Sequence, residues 1–235
     1  NSYIFIKELL LARNKISTPS INEVQNENKN QERIAETLLP NATQLDTRGL
    51  SRLIFALESL GREEEAIQIL SQHTLIESNS DLLGIIGGRY KRKYIINYIQ
   101  SDGLKAIEYY KKGSELATNT KDHQQLYYCF INLAFLHLLV HEDVISMRKY
   151  AKEAVINCEL AKYNSLWEIA TLAEANLYLG NVELAISHYS EVAKQATRRE
   201  KISIYNNAYT GYVCLTKTDN QEDNFIQFLK THFLN

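Results

Sequence analysis

Residues 173–196, AEANLYLGNVELAISHYSEVAKQA, carry apolar side chains at three- and four-residue spacing on either side of a leucine-glycine-asparagine turn. That pattern is a pair of amphipathic helices. Such a pair cannot bury its apolar faces alone, so copies should stand beside it. A shift of about 40 residues finds them. Ala66-Ile67, Ala106-Ile107, Ser146-Met147, Ala185-Ile186 and Phe225-Ile226 fall 40, 40, 39 and 40 residues apart, and Leu70, Tyr110, Tyr150, Tyr189 and Leu229 follow one turn later. Four of the five units start this second helix with a small residue, as close helix packing requires.

The remaining sequence agrees with a helical array. Both prolines, Pro19 and Pro40, lie before residue 41, so nothing beyond forbids a series of helices. Breaks fall at Gly61, Ser78 to Ser80, Ser101-Asp102, Lys121-Asp122, Gly180-Asn181 and Thr218 to Asn220. The apolar fraction of 45% with 23% charged residues in 235 is that of an ordinary globular chain. No apolar run approaches the roughly 20 residues of a membrane helix. Cys129, Cys158 and Cys214 stand far apart without a CxxC pair, which fits a reduced, cytoplasmic compartment. A net charge of −2 argues against a general nucleic-acid binder. Residues 3–13 (YIFIKELLLAR) read as a helix of an upstream element, with 14–31 a polar linker and 32–235 the repeat array. Starting at Asn1, the chain reads as a piece of something longer.

Two segments, residues 56–70 (ALESLGREEEAIQIL) and 173–196, resemble tetratricopeptide repeats. They share the leucine-glycine turn, the alanine opening the second helix and the aromatic or leucine one turn on. The period exceeds that family's usual length, no proline closes a unit, and Asn176 stands where an aromatic is common. A HEAT-like array competes at this period, but its proline and aspartate signals are missing. The expected fold is therefore an all-α, tetratricopeptide-like solenoid of about five antiparallel helix pairs.

A second resemblance runs from about residue 80 to 140. DLLGIIGGRYKRKY, AIEYYKKG and LYYCFINLAFL are similar to the TRAFs-binding region of the apoptosis signal-regulating kinases and its bacterial relatives. Leu83, Gly84, Gly87 or Gly88, Arg89, Tyr90, Lys91 and Asn132 match in type and order. The resemblance implies a non-catalytic scaffold attached to or regulating an effector domain.

Gly84, Gly87 and Gly88 have neither P-loop nor dinucleotide spacing, so they serve helix packing. Arg89, Arg92 and Lys93 share a helical face. Such a face suits an acidic peptide or a phosphorylated ligand; alternatively it is solvated and paired with Glu108 or Glu115. With Tyr90, Lys91, Tyr128 and Asn132, these residues form the candidate partner- or ligand-binding set. His137 and His141 lack an HExxH motif, and Asp143 suits the start of a helix, so no metal is expected. Cys129 lies in an apolar helix and should be inert. With no catalytic constellation and no cofactor expected, the sequence points to a scaffold or sensor. Its partner would be a protein, a peptide or a sister subunit.

Overall fold

A computed structural model describes residues 21–162 and 165–234, with side chains from Asn26 onward. The described residues form two compact units, 21–120 and 121–234. All regular structure among them is helical.

The first unit opens with α1 (Ile21–Leu38), a 3₁₀ turn (Leu39–Gln44) and α2 (Thr47–Ser59). It continues through α3 (Glu63–Gln72), α4 (Ser80–Asn97) and α5 (Gln100–Thr120). Residues 21–31, the second half of the stretch read as a linker, are thus helical. Nothing between Ile21 and Leu38 breaks a helix, and Ile34, Ala35 and Leu38 give it an apolar edge beside α2. The expected upstream helix at 3–13 lies outside the described residues. In order, α1 packs on α2, α2 on α3, α3 on α4 and α4 on α5, and α2 also touches α4. Asn79 caps α4 by accepting from Leu82 N at 3.0 Å, and its Nδ2 donates to Thr47 Oγ1 at 3.2 Å, fixing the start of α4 against that of α2.

The second unit comprises α6 (His123–His141), α7 (Val144–Ala161), α8 (Leu166–Leu179), α9 (Val182–Gln195), α10 (Arg198–Thr216) and α11 (Asn224–Phe233). They pair as α6/α7, α8/α9 and α10/α11. The first helices α6, α8 and α10 touch one another, and α9 touches α11. With α2/α3 and α4/α5, the described residues hold five helix pairs of tetratricopeptide-like, all-α architecture.

The 40-residue register describes the second helices well. Ala66, Ala106 and Ala185 are fully buried, with Leu70, Tyr110 and Tyr189 below them. The third unit departs by one position: Met147 and Ala151 are buried, while Ser146 and Tyr150 are only partly so. The helix start explains the shift. Asp143 accepts from the backbone of Ile145 at 3.1 Å and Ser146 at 3.0 Å, placing Ser146 in the polar first turn. Tyr150 instead stacks on Phe130 at 6.0 Å and His137 at 5.1 Å.

Helix ends explain the breaks. Gly61 and Gly180 have φ of 73° and 89°. Tyr98, Lys121, Glu142, Lys162 and Lys217 adopt the same left-handed conformation without being glycine. The turn between α4 and α5 falls at Tyr98-Ile99, ahead of the expected Ser101-Asp102, because Asp102 belongs to the first turn of α5. At Gly180 an added Cβ would meet nothing within 4 Å. Gly180→Ala is therefore expected to destabilise through the backbone alone, by about 1–2 kcal/mol, read from the urea midpoint at unchanged m-value.

Candidate functional site

The basic stretch lies on α4, and its chemistry begins with the glycines before it. Gly84 and Gly87 are buried. A Cβ on Gly87 would come within 3.2 Å of the Tyr110 ring from α5. The expected packing role is thereby met: the absent side chain lets the tyrosine lie on the α4 backbone. Tyr90 stacks on Tyr109 with centroids 5.6 Å apart and an interplanar angle of 7°. Lys105 Nζ stands 5.0 Å from the Tyr90 centroid.

Arg89, Arg92 and Lys93 do point the same way, towards the preceding helix pair. Arg89 grips Glu58 of α2 with two nitrogens, Nε on Oε1 and Nη2 on Oε2, and both side chains are buried. Its guanidinium also lies over the Phe55 ring, 5.3 Å from the centroid. Arg92 Nη1 reaches Glu58 Oε1 at 3.3 Å while half its side chain remains exposed. Lys93 Nζ meets Glu64 of α3 at 2.7 Å, and that hydrogen bond raises the ammonium pKa above its ordinary value. The acids involved belong to the pair before, correcting the expectation of Glu108 or Glu115. Glu108 pairs with Lys112 one turn on at 3.2 Å.

These contacts sort the basic residues by what they can offer a ligand. Arg89 and Lys91 are buried, at 7% exposure each, whereas Arg92 presents half its side chain at the shared Glu58, one turn along α2 from Phe55, itself 45% exposed beneath the Arg89 guanidinium. An exposed aromatic ring beside an arginine is a contact point for a partner's acidic or aromatic side chain. Glu58 and Phe55 were absent from the sequence-derived set. Glu58 carried a signal all the same: it lies four residues after Ile54, on the buried stripe of Leu50, Leu53, Ile54 and Leu57. A buried acid needs a cation.

Tyr128 and Asn132 belong to α6, in the second unit, and share a face by four-residue spacing. Tyr128 is 37% exposed. Asn132 is buried and donates to Tyr128 O of its own helix at 2.8 Å. Asn176 does the same to Leu172 O in α8 at 2.8 Å, and its Oδ1 accepts from Asn181 at 3.1 Å. The asparagine standing where an aromatic was expected thus ties the helix to the turn after it.

His137 and His141 lie with ring centroids 5.5 Å apart. His137 Nδ1 is 3.9 Å from Asp143 Oδ2. Asp143 is the cap of α7, and the hydrogen bonds it accepts from Ser146 lower its pKa. No cluster of three or more His, Cys, Asp or Glu suited to a metal occurs among the described residues. Cys129 is buried, and burial pushes the Cys158 thiol up to about 12, the opposite of an activated nucleophile.

A second buried carboxylate, Glu174 of α8, went unread in the sequence. The Tyr178 hydroxyl donates to Glu174 Oε1 at 2.7 Å, and Tyr178 and Tyr189 are both buried, with pKa values held well above the ordinary tyrosine range by burial and then by Glu174. A Cβ on Gly211 of α10 would come within 2.6 Å of the Tyr178 hydroxyl. Three helices are thus fitted around one acid.

Residues 27–137 are similar to the family described as Tetratricopeptide Repeats-Sensor, a span running from α1 into α6. No curated protein matches the chain. Repeats of this type commonly mediate protein interaction, in line with the helix pairs and with the exposed ring and guanidinium on α2 and α4.

Proposed function

We propose that this chain is a non-catalytic interaction module, a scaffold or sensor that binds a peptide, a partner domain or a sister subunit and thereby regulates an associated signalling or defence effector. The observation that carries the reading is the Phe55-Arg92 surface within the span similar to the sensor family. There Arg92 is held by a single contact to Glu58 and keeps its other donors available for recognition. The likeness of residues 80–140 to the kinase scaffold region supports an effector as the output. Three cysteines far apart in sequence and without a CxxC pair suit action in the cytoplasm.

Photo-crosslinking in cells tests it. A benzophenone side chain at position 55 or 92 is expected to give a discrete adduct. The same group at position 115, on the exposed side of α5, should give none. Arg92→Glu should abolish the adduct formed from position 55. Absence of any adduct at 55 and 92, or equal adducts at all three positions, overturns the reading.

A second reading, capture of a small phosphorylated ligand, draws on a further pair of arginines. Arg33 and Arg52 line a shallow cleft between α1 and α2, floored by Ile34 and Leu38. Calorimetric titration with nucleotides favours this reading if heat is lost in Arg92→Ala or Arg52→Ala. It removes the reading if the native chain gives no heat.

A further inference from the structure

The outward face of α7 combines exposed apolar side chains with cations that meet no described carboxylate. Helix α7 buries Met147, Ala151, Ala154 and Cys158 along one side. Opposite them, at spacings of 4, 3, 4 and 4, run Ile145, Lys149, Lys152, Ile156 and Leu160, a single helical stripe. Ile145 is 84% exposed, Ile156 48% and Leu160 53%. Arg148 flanks the lysines, and the upper part of this stripe forms an open cleft that Val144 and Glu153 also line.

Arg148, Lys149 and Lys152 lie within 4 Å of no described carboxylate. Arg89, Arg92, Lys93 and Lys112, by contrast, meet acids, while Lys149 Nζ stands 5.8 Å from the centroid of the neighbouring Tyr150 ring. Three cations against the single carboxylate of Glu153 line the cleft between the exposed isoleucines, which makes a surface apolar along its line and positive at its middle. A second copy laid antiparallel along this stripe would bring Lys149 and Lys152 against their own counterparts, which like-charge repulsion opposes. A helix with leucines or isoleucines at three- and four-residue spacing and glutamates or aspartates at its middle meets both properties at once.

We infer that the outward face of α7 is a docking site for an acidic amphipathic helix of a partner protein. The partner's apolar stripe lies along Ile145, Ile156 and Leu160, and its carboxylates meet Arg148, Lys149 and Lys152. This site lies in the second unit and does not rest on the Phe55-Arg92 reading. The two can fail separately, because crosslinking reports on α2 and α4 while the following measurement reports on α7.

The probe is a fluorescein-labelled 18-residue peptide with leucines along one stripe and glutamates flanking their centre, titrated with the whole chain by anisotropy. Saturable binding is expected. Lys149→Glu with Lys152→Glu should weaken it at least tenfold, Ile156→Asp to a similar extent, with circular dichroism unchanged. Raising sodium chloride from 50 to 300 mM should weaken it several-fold, as a partly electrostatic contact requires. A peptide with lysines in place of the glutamates should not bind. The inference is overturned by no saturable binding, by equal binding of the lysine peptide, or by insensitivity to the α7 substitutions. It is equally overturned if light scattering finds a dimer that Ile156→Asp dissolves, or if the chain binds anionic phosphatidylserine vesicles through these residues and not the peptide.

Discussion

Glu58→Ala is expected to destabilise the first unit by about 3–5 kcal/mol, the range for breaking a buried ion pair by removing one partner. The magnitude follows from what remains. Arg89, its side chain 7% exposed, would keep its charge in a site built by Leu57, Phe55 and α4, and guanidinium cannot shed a proton to escape. Arg92 adds little to the loss because its half-exposed side chain can turn to solvent. Two comparisons separate this from simple loss of packing. Glu64→Ala removes the exposed partner of Lys93 and should change stability by no more than about 1 kcal/mol. Glu58→Leu combined with Arg89→Met should recover most of the loss, since replacing a buried pair by well-packed apolar groups is often neutral or favourable. Urea denaturation of the four proteins measures all of this; a single-variant loss of under about 1 kcal/mol for Glu58→Ala would show the pair to be hydrated rather than buried.

Gly211→Ala should destabilise the second unit despite placing a better helix former in the middle of α10. Alanine returns about 1 kcal/mol of helix propensity, but its Cβ would lie 2.6 Å from the hydroxyl and 2.8 Å from Cε1 of Tyr178. Overpacking of this kind costs about 1–3 kcal/mol and more where neighbours are stiff. Tyr178 is fully buried and its hydroxyl is held by Glu174, so α10 itself must move away from α8. Gly211→Val should cost more than Gly211→Ala. Adding Tyr178→Phe should lessen the clash in either background, at the expense of one donor to Glu174. A rise in melting temperature for Gly211→Ala would mean that the helices separate freely at this crossing.

How far the sequence disclosed these features depended on whether the signal was periodic. Apolar spacing and the 40-residue recurrence of Ala66, Ala106 and Ala185 located the helix pairs, because burial of one stripe per helix leaves a repeating trace. The one-residue slip at Met147 escaped that comparison, since a capping aspartate and not the apolar pattern sets where α7 begins. The helix end at Lys121 lacked glycine and was marked only by neighbouring polarity, and the end at Lys162, also without glycine, was not marked at all. At the candidate site the sequence grouped Arg89, Arg92 and Lys93 correctly on one face. It could not say which acid they meet, because Glu58 and Glu64 are about 30 residues upstream and reach them only through packing of the preceding pair. The glycine roles were legible because Gly84 and Gly87 fell inside an apolar helical stripe. The role of Gly211 was not, its reason being a tyrosine 33 residues away.

The Arg89-Glu58 pair also bears on how such an array can grow. In the 40-residue register the position equivalent to Glu58 is Tyr98, at the end of α4. Tandem duplication of α4 and α5 would therefore set a copied Arg89 against a tyrosine and leave its charge without a carboxylate. The order of these two helix pairs is inscribed in their charges, so an array lengthened this way needs an acid at residue 98 together with the duplication.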